Sequence, residues 1–470
     1  MDDGQMEYAA GVAVMKLSSM RVGLTAAALV LVPPAFAQSP APSGDLDSRI
    51  QKLVAAISEE RMQQLLAKLV SFETRNTFSD PTSPVRGIGA ARQWIHDELK
   101  RTNPRLQVSF DTHTIPAGGR VVREVELRNI VAILPGKTPR RIYVSGHYDT
   151  VSLGSRSGAR GGQGARGAEG AQGRGQGQAP RPPTDYNVPA PGANDDGSGT
   201  VLSMELARVF ADSGIEFDAT LVFMAVAGEE YGLLGARAHA KRMKEEKVPV
   251  QALFNNDIVG NSRGGNGILD GATVRLYSEG PEDSPSRALA QFAKRFAERY
   301  VPSHEIRLMA RRDRFGRGGD HSAFNAEGFA AICFRESREN YQMQHNANDT
   351  IDGVSFAYLA QNARANAAAM AVLALAPPPP VVASNMLGRQ PSGYDARLRW
   401  TASAGAAGYR IFWRNAWAPD WQHEMYVGAV TEFVLPNKNI DDHVFGVAAV
   451  GANGHESTIS AYVNQPRADQ

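Results

Sequence analysis

The run Leu221-Val-Phe-Met-Ala-Val-Ala227, which breaks at Gly228 and gives way to Glu229-Glu230, constrains this chain more than any other feature. An apolar run without alternation reads as a buried strand rather than a half-exposed one. Two carboxylates side by side at its end are costly to bury unless something compensates. At a strand end one of them can bind a metal while its neighbour holds a water beside it. Metal-assisted hydrolysis needs that division of labour.

Other segments supply further ligands, each at the end of an apolar stretch. Arg141-Ile-Tyr-Val-Ser145 reads as a strand and delivers Gly146-His147-Tyr148-Asp149. The loop Pro191 to Gly199 delivers Asp195 ahead of an apolar-periodic helix, Val201 to Phe210. Val250 to Phe254 leads to Asn255-Asn256-Asp257, and His345 and Asp349 come late in the chain. His147, Asp195, Glu230, Asp257 and His345 are therefore candidate metal ligands, with Glu229 left over. Nitrogen and oxygen donors without a thiolate suit zinc, with manganese or cobalt as substitutes. Asp195 is the natural bridge, because one carboxylate can span two ions.

Beyond Thr220 strands and helices alternate: a helix over 233–243, a strand up to Asp257, and helices over 284–300 and 356–375. Upstream, periodicity over 46–72 and 88–99 predicts helices, and strands are expected near Val108 and over 125–134. This predicts an α/β domain, with a mostly parallel central sheet sandwiched by helices, over residues 48–376. In such folds ligands gather at the carboxyl ends of strands, where these candidates repeatedly sit. A Gly/Arg-rich insert over 154–183 reads as a flexible surface loop. Pro377 to Pro380 opens a stiff linker, 377–384, and short alternating strands over 385–467 predict a small all-β sandwich. That last part resembles a fibronectin type III module, with Trp400 and Tyr409 in its core and His443 where such modules often carry tyrosine.

The first 37 residues read as a signal peptide region: Lys16 and Arg21, a short apolar core Val22 to Val32, and Ala35-Phe36-Ala37 as cleavage site. The cut is expected after Ala37, with a linker over 38–47, and the destination is periplasmic or secreted. The apolar core is too short to span a membrane. A net charge of +1 gives no footprint for nucleic acid. The single cysteine, Cys333, reads as a small buried hydrophobe. His96, His239 and His304 read as surface or capping residues. Asp320 either supports the ligands from behind or caps the helix that starts there. Arg311, Arg312, Arg314 and Arg317 read as a solvated loop, the alternative being that one of them meets a substrate carboxylate.

From about Ile50 to Leu375 the chain resembles the co-catalytic zinc aminopeptidases of the bacterial leucine-aminopeptidase type, a family that includes glutamate carboxypeptidase and glutaminyl cyclase. The matching pieces are Gly-His147-Tyr-Asp149, Asn-Asp195-Asp-Gly-Ser-Gly, Gly-Glu229-Glu230-Tyr-Gly-Leu-Leu-Gly, Asn-Asp257, Gly-Asp320-His321-Ser-Ala-Phe and His345-Asn-Ala-Asn-Asp349-Thr350. The resemblance implies the zinc exopeptidase fold and two Zn(2+). It implies His147 and Asp257 on one ion, Glu230 and His345 on the other, and Asp195 bridging. Glu229 would be the general base and Asp149 an acid behind the ligands. Asn346-Ala347 replaces the family's usual threonine-proline. In many relatives the residue before the last ligand histidine, or a nearby tyrosine, helps polarise the scissile carbonyl, which makes Gln344 or Tyr341 the candidate here. The expected activity is release of N-terminal residues from peptides. A carboxypeptidase or dipeptidase, a glutaminyl cyclase, and a non-catalytic receptor-like ectodomain are the alternatives. The ligand of the β-sandwich is unknown.

Overall fold

The computed structural model describes residues 46–153 and 185–463. The expected export segment and the Gly/Arg-rich insert lie outside the described residues. Three helices come first: α1 (Ser48–Ala55), α2 (Glu59–Val70) and α3 (Gly87–Thr102). The periodic stretch over 46–72 is two helices rather than one. Ser58 caps the second, its side chain accepting from the Arg61 N–H at 3.1 Å, and Glu59 and Glu60 follow in the first turn, where the helix dipole favours acids.

Then come β1 (Gln107–Ile115), β2 (Val125–Leu134), β3 (Thr138–His147), α4 (Ser198–Asp212), β4 (Ala219–Val226), α5 (Leu234–Glu245), β5 (Val250–Asn256) and β6 (Thr273–Ser278). The set closes with α6 (Pro285–Tyr300), β7 (Glu305–Met309), α7 (His321–Ala326), β8 (Ala331–Glu336) and α8 (Phe356–Leu375). The strands form one sheet in the order β1-β2-β4-β3-β5-β8-β6-β7. Its centre, β4-β3-β5-β8, is parallel, and β1 and β2 continue it as an antiparallel edge. The short strands β6, β7 and β8 were not individually legible in the sequence. α8 is buried nearly all round, which explains why its alanine-rich sequence shows no polar face.

Beyond α8 two small antiparallel sheets pack together. One is β13-β10-β9, from β9 (Leu387–Arg389), β10 (Ala396–Arg399) and β13 (Glu432–Leu435). The other is β12-β11-β14-β15, from β11 (Gly408–Asn415), β12 (His423–Gly428), β14 (His443–Val450) and β15 (Ser460–Ala461). Trp400, Tyr409, Ile411, Trp413, Phe445 and Val447 fill the space between them, as the period-2 pattern predicts. The opposite face of β11 is not solvated. Phe412 and Arg414 are buried as well, and this face lies on α6. The Arg295 guanidinium sits 5.2 Å above the Phe412 ring and reaches Glu424 and Glu456, and Arg414 pairs with Asp283 at 2.6 Å. Pro377 and Pro380 are buried too, so the proline run is packed against its surroundings.

Two histidines differ from expectation. His239 and His304 are 2% and 1% exposed, neither surface nor capping residues. His239 shares the inward stripe of α5 with Ala236, Ala240 and Met243 and meets Asp111 at 2.7 Å. His304 meets Asn362 at 2.7 Å. Each finds a polar partner inside, which is what a buried imidazole requires. Cys333 is buried, and burial pushes its thiol up to about 12.

Candidate active site

The carboxyl ends of three adjacent parallel strands converge. His147 ends β3, Glu229 and Glu230 follow β4, and Asp257 follows β5. Two glycines allow the turn carrying Asp195 to lie across them. A Cβ on Gly146 would sit 2.2 Å from the Gly199 carbonyl carbon, and one on Gly199 would sit 2.1 Å from the Asn256 oxygen, so only bare backbone fits. At the end of β4, Gly228 adopts φ +73°, which turns the chain and presents both glutamates.

His147, Glu229 and Asp257 bring donor atoms within 4.8 Å of one another, and so do Asp195, Glu230 and His345. Asp195 joins the two groups. Its Oδ1 lies 3.3 Å from His147 Nε2 and its Oδ2 lies 3.1 Å from His345 Nε2. Glu230 is 3.2 Å from His345 Nε2, while Glu229 and Asp257 are each 4.0 Å from His147 Nε2. Two donors on one tetrahedral zinc stand roughly 3.4 Å apart, given zinc–ligand bonds of about 2.0–2.1 Å. The spacings bracket that value. Glu230 Oε1 is buried without a hydrogen-bond partner among the described residues, as a carboxylate oxygen facing a cation would be. The residues therefore fit a divalent metal with nitrogen and oxygen donors, and zinc in particular.

His147 is oriented by its own loop. Its Nδ1 donates to the Asp149 backbone carbonyl at 3.0 Å, which turns Nε2 toward Asp195. The Asp149 carboxylate has a different task. It accepts from the backbone N–H of Glu229 (3.0 Å) and Glu230 (3.4 Å) and from the Thr77 hydroxyl (2.9 Å), fixing the turn that carries both glutamates. Asp349 treats the Asp195 turn similarly, accepting from the N–H of Asn194 (2.9 Å) and Asp195 (2.8 Å). His345 itself stands at φ +57°, a conformation a non-glycine residue keeps only where its surroundings impose it.

The electrostatics are those of acids crowded away from water. Burial raises Glu229 well above the carboxylate range; the charges of Asp257, Glu230 and Asp320 add to this and His147 opposes it. Burial takes Glu230 to about 8. The Glu230 charge raises His345 to about 10 against the cost of burial. Burial would lower His147, but Glu229, Asp149 and Asp195 reverse that and hold it well above its usual value.

Asp320 lies beside these groups, 1% exposed, with both carboxylate oxygens unpartnered among the described residues and burial lifting it to about 8. It makes no capping bond to α7, so the capping alternative fails. Gln344 is half-buried, its amide donating to Glu339 at 3.2 Å, and Tyr341 is 59% exposed. Three supports escaped the sequence reading. Arg75, 1% exposed, donates to the carbonyls of Tyr148, Pro191 and Gly192 and so ties the His147 loop to the Asp195 loop. Asp196 accepts from the N–H of His147, Gly199 and Ile258. Arg335, at the end of β8, pairs with Asp257. Arg75 and Arg335 lie in segments without a motif, and Asp196 lies inside the Asn-Asp195-Asp-Gly motif without a role assigned to it.

Residues 129–370 match the model of peptidase family M28. A probable zinc metalloprotease of Pyricularia oryzae is 35% identical, over 87% of this chain and 84% of its own. Another, of Leptosphaeria maculans, is 34% identical over 87% and 96%. The chain belongs to peptidase family M28. As an M28 member it is a zinc metallopeptidase. Its fold is similar to that of the LapA aminopeptidase of Legionella pneumophila (TM-score 0.51, 18% identity, 72% of this chain and 78% of that one). It is also similar to that of a Macrostomum lignano glutaminyl cyclase (TM-score 0.51, 16% identity, 71% and 95%). The M28 match spans β2 to α8 and so includes every strand end that bears a candidate ligand. Among the described residues no helix is long and apolar enough to cross a membrane.

Proposed function

We propose that this M28 peptidase is an exported aminopeptidase that uses two zinc ions to release N-terminal residues from peptides. His147 and Asp257 would hold one ion and Glu230 and His345 the other, with Asp195 placed between the two groups to serve both. The observation that carries this reading is Asp195, whose two oxygens face His147 and His345 at 3.3 and 3.1 Å. Manganese or cobalt would suit the same donors. Bound zinc supplies Lewis acidity and lowers the pKa of water at the site.

Glu229 and Asp257 stand at the same 4.0 Å from His147, and the resemblance assigns Asp257 to the metal and leaves Glu229 as the spare carboxylate. It takes the proton of the attacking water and returns it to the leaving amine. Asp149 sets the Glu229–Glu230 turn by accepting both backbone N–H groups, and its own carbonyl keeps the His147 tautomer. Export rests on the N-terminal sequence. We read residues 385–467 as a fibronectin type III-like module on the strength of Trp400 and Tyr409, 5.4 Å apart in its core.

The test is a panel of aminoacyl anilides, N-blocked peptides and N-terminal glutamine peptides, with metal analysis before and after chelation. Anilide cleavage that chelator abolishes and zinc restores, at two zinc per chain, is expected. Cleavage of N-blocked peptides alone points to a carboxypeptidase, and ring closure of glutamine to a glutaminyl cyclase. Glu229→Gln should keep both ions and lose about 10²–10⁴-fold in kcat. A variant as active as the parent removes the base assignment.

A further inference from the structure

Glu339 is buried in the segment that leads to His345, and four arginines gather on it. Arg275 pairs with it at 2.7 Å, Arg314 contacts it closely, and Arg317 and Arg335 lie at 3.6 and 3.9 Å. Arg335 also faces Asp257. Four cations thus share two carboxylates, and one of those two is a proposed zinc ligand. Neighbouring acids are otherwise engaged. Glu336 accepts from Asn194 and Asn261, Asp270 meets Arg307 and Arg338, and Glu279 and Asp313 meet Arg312. Excess positive charge in a partly dehydrated place is stabilised by an anion.

Arg317 is the member of the cluster that reaches solvent, its side chain 35% exposed. It adjoins both halves of the site. Two residues on, a Cβ at Gly319 would lie 2.8 Å from Asp257 Oδ2, so this loop passes directly against that residue. The Arg317 guanidinium reaches Gln344 Oε1 at 3.3 Å, one residue before His345. It stacks 4.9 Å above the Tyr341 ring, which limits the orientations it can take. Its ion pair and its side-chain hydrogen bond both run through Nη2, whereas a guanidinium offers five donors in a fork that matches a carboxylate.

We propose that Arg317 is a specificity residue that receives a substrate carboxylate beside the scissile bond. The carboxylate is that of an acidic side chain or of the free terminus of a short peptide. This rests on the exopeptidase reading and narrows its substrate class.

The experiment uses the zinc-loaded full chain and two substrate pairs: Leu-Leu against Leu-Leu-amide for a terminal carboxylate, and Leu-Asp-amide against Leu-Asn-amide for a side-chain carboxylate. The carboxylate member of one pair should have the higher kcat/KM, which identifies the source. In Arg317→Gln that ratio should fall about 10- to 100-fold, the worth of a hydrogen bond between charged groups. Arg317→Lys should retain part of it, because charge remains and the fork is lost. Arg312→Gln, in which a different arginine of the loop is removed, should leave the ratio unchanged. Zinc content is measured for each variant. Ratios near one in both wild-type pairs, or an unaltered ratio in Arg317→Gln, overturn the proposal. If N-acetyl-Leu-Leu is cleaved instead, and Arg317→Gln slows it, the aminopeptidase direction fails while the carboxylate site stands.

Discussion

Asp149 shows how one residue serves two parts of a candidate metal site: its carbonyl orients the His147 ring and its carboxylate holds the Glu229–Glu230 turn. The crowding also sets the proton inventory. Without a cation, the Glu230 charge holds a proton on His345, raised to about 10, and burial lifts Glu230 to about 8. The two act as a pair: while Glu230 is charged the proton sits on His345, and at least that one proton must leave before both can ligate a metal. Zinc binding to the chelated protein at pH 7.5 should therefore release at least one proton per chain. Calorimetry in buffers of different ionisation enthalpy measures this number. A release near zero would show that His345 is already neutral before the metal arrives.

At the scale of elements, the contact between α6 and the outer face of β11 joins the two parts of the described chain. Arg414 and Asp283 are both nearly fully buried, and they pair across this contact at 2.6 Å. Removing one partner of such a pair leaves a buried charge without compensation, at a cost of about 3–5 kcal/mol. Arg414→Ala should lower unfolding stability by that amount, read by denaturant titration, with zinc content unchanged. A loss below about 1 kcal/mol would mean that the contact opens freely in solution. The elements that carry the site depend on backbone proximity instead. The Gly146–Gly199 approach leaves no room for a side chain, so the Asp195 turn is set by the absence of two Cβ atoms.

For the whole molecule, buried neutral histidines set an acid limit on stability. Burial lowers His239, His304 and His455, and takes His321 to about 4. As pH falls below about 6.5 the unfolded chain gains protons that the folded chain refuses. Their contribution is thus fully present above that pH and is lost as pH drops toward the lowered folded values. Burial raises Asp349 to about 7 and Asp320 to about 8, and these acids pull the other way, so a single variant is the cleaner measure. The melting temperature of zinc-saturated His304→Gln should fall less steeply between pH 6.5 and 5 than that of the parent. Identical slopes would mean that His304 titrates as though exposed.

Local pattern was enough to read the sheet's centre and its neighbours. The apolar runs before His147, Glu229 and Asp257 announce buried parallel strands, and candidate site residues at their ends follow from how such sheets are built. The inward stripe of α5, which includes His239, was legible in the same way and was passed over. Tertiary structure alone decided the rest. Arg75, Arg335 and Glu339 bear on the site from segments without a motif, because a charged side chain's partner is set by chain paths that composition does not encode. The same holds for the second face of β11. Alternation in sequence separates the two faces of a strand, but only packing against α6 determines that both are buried.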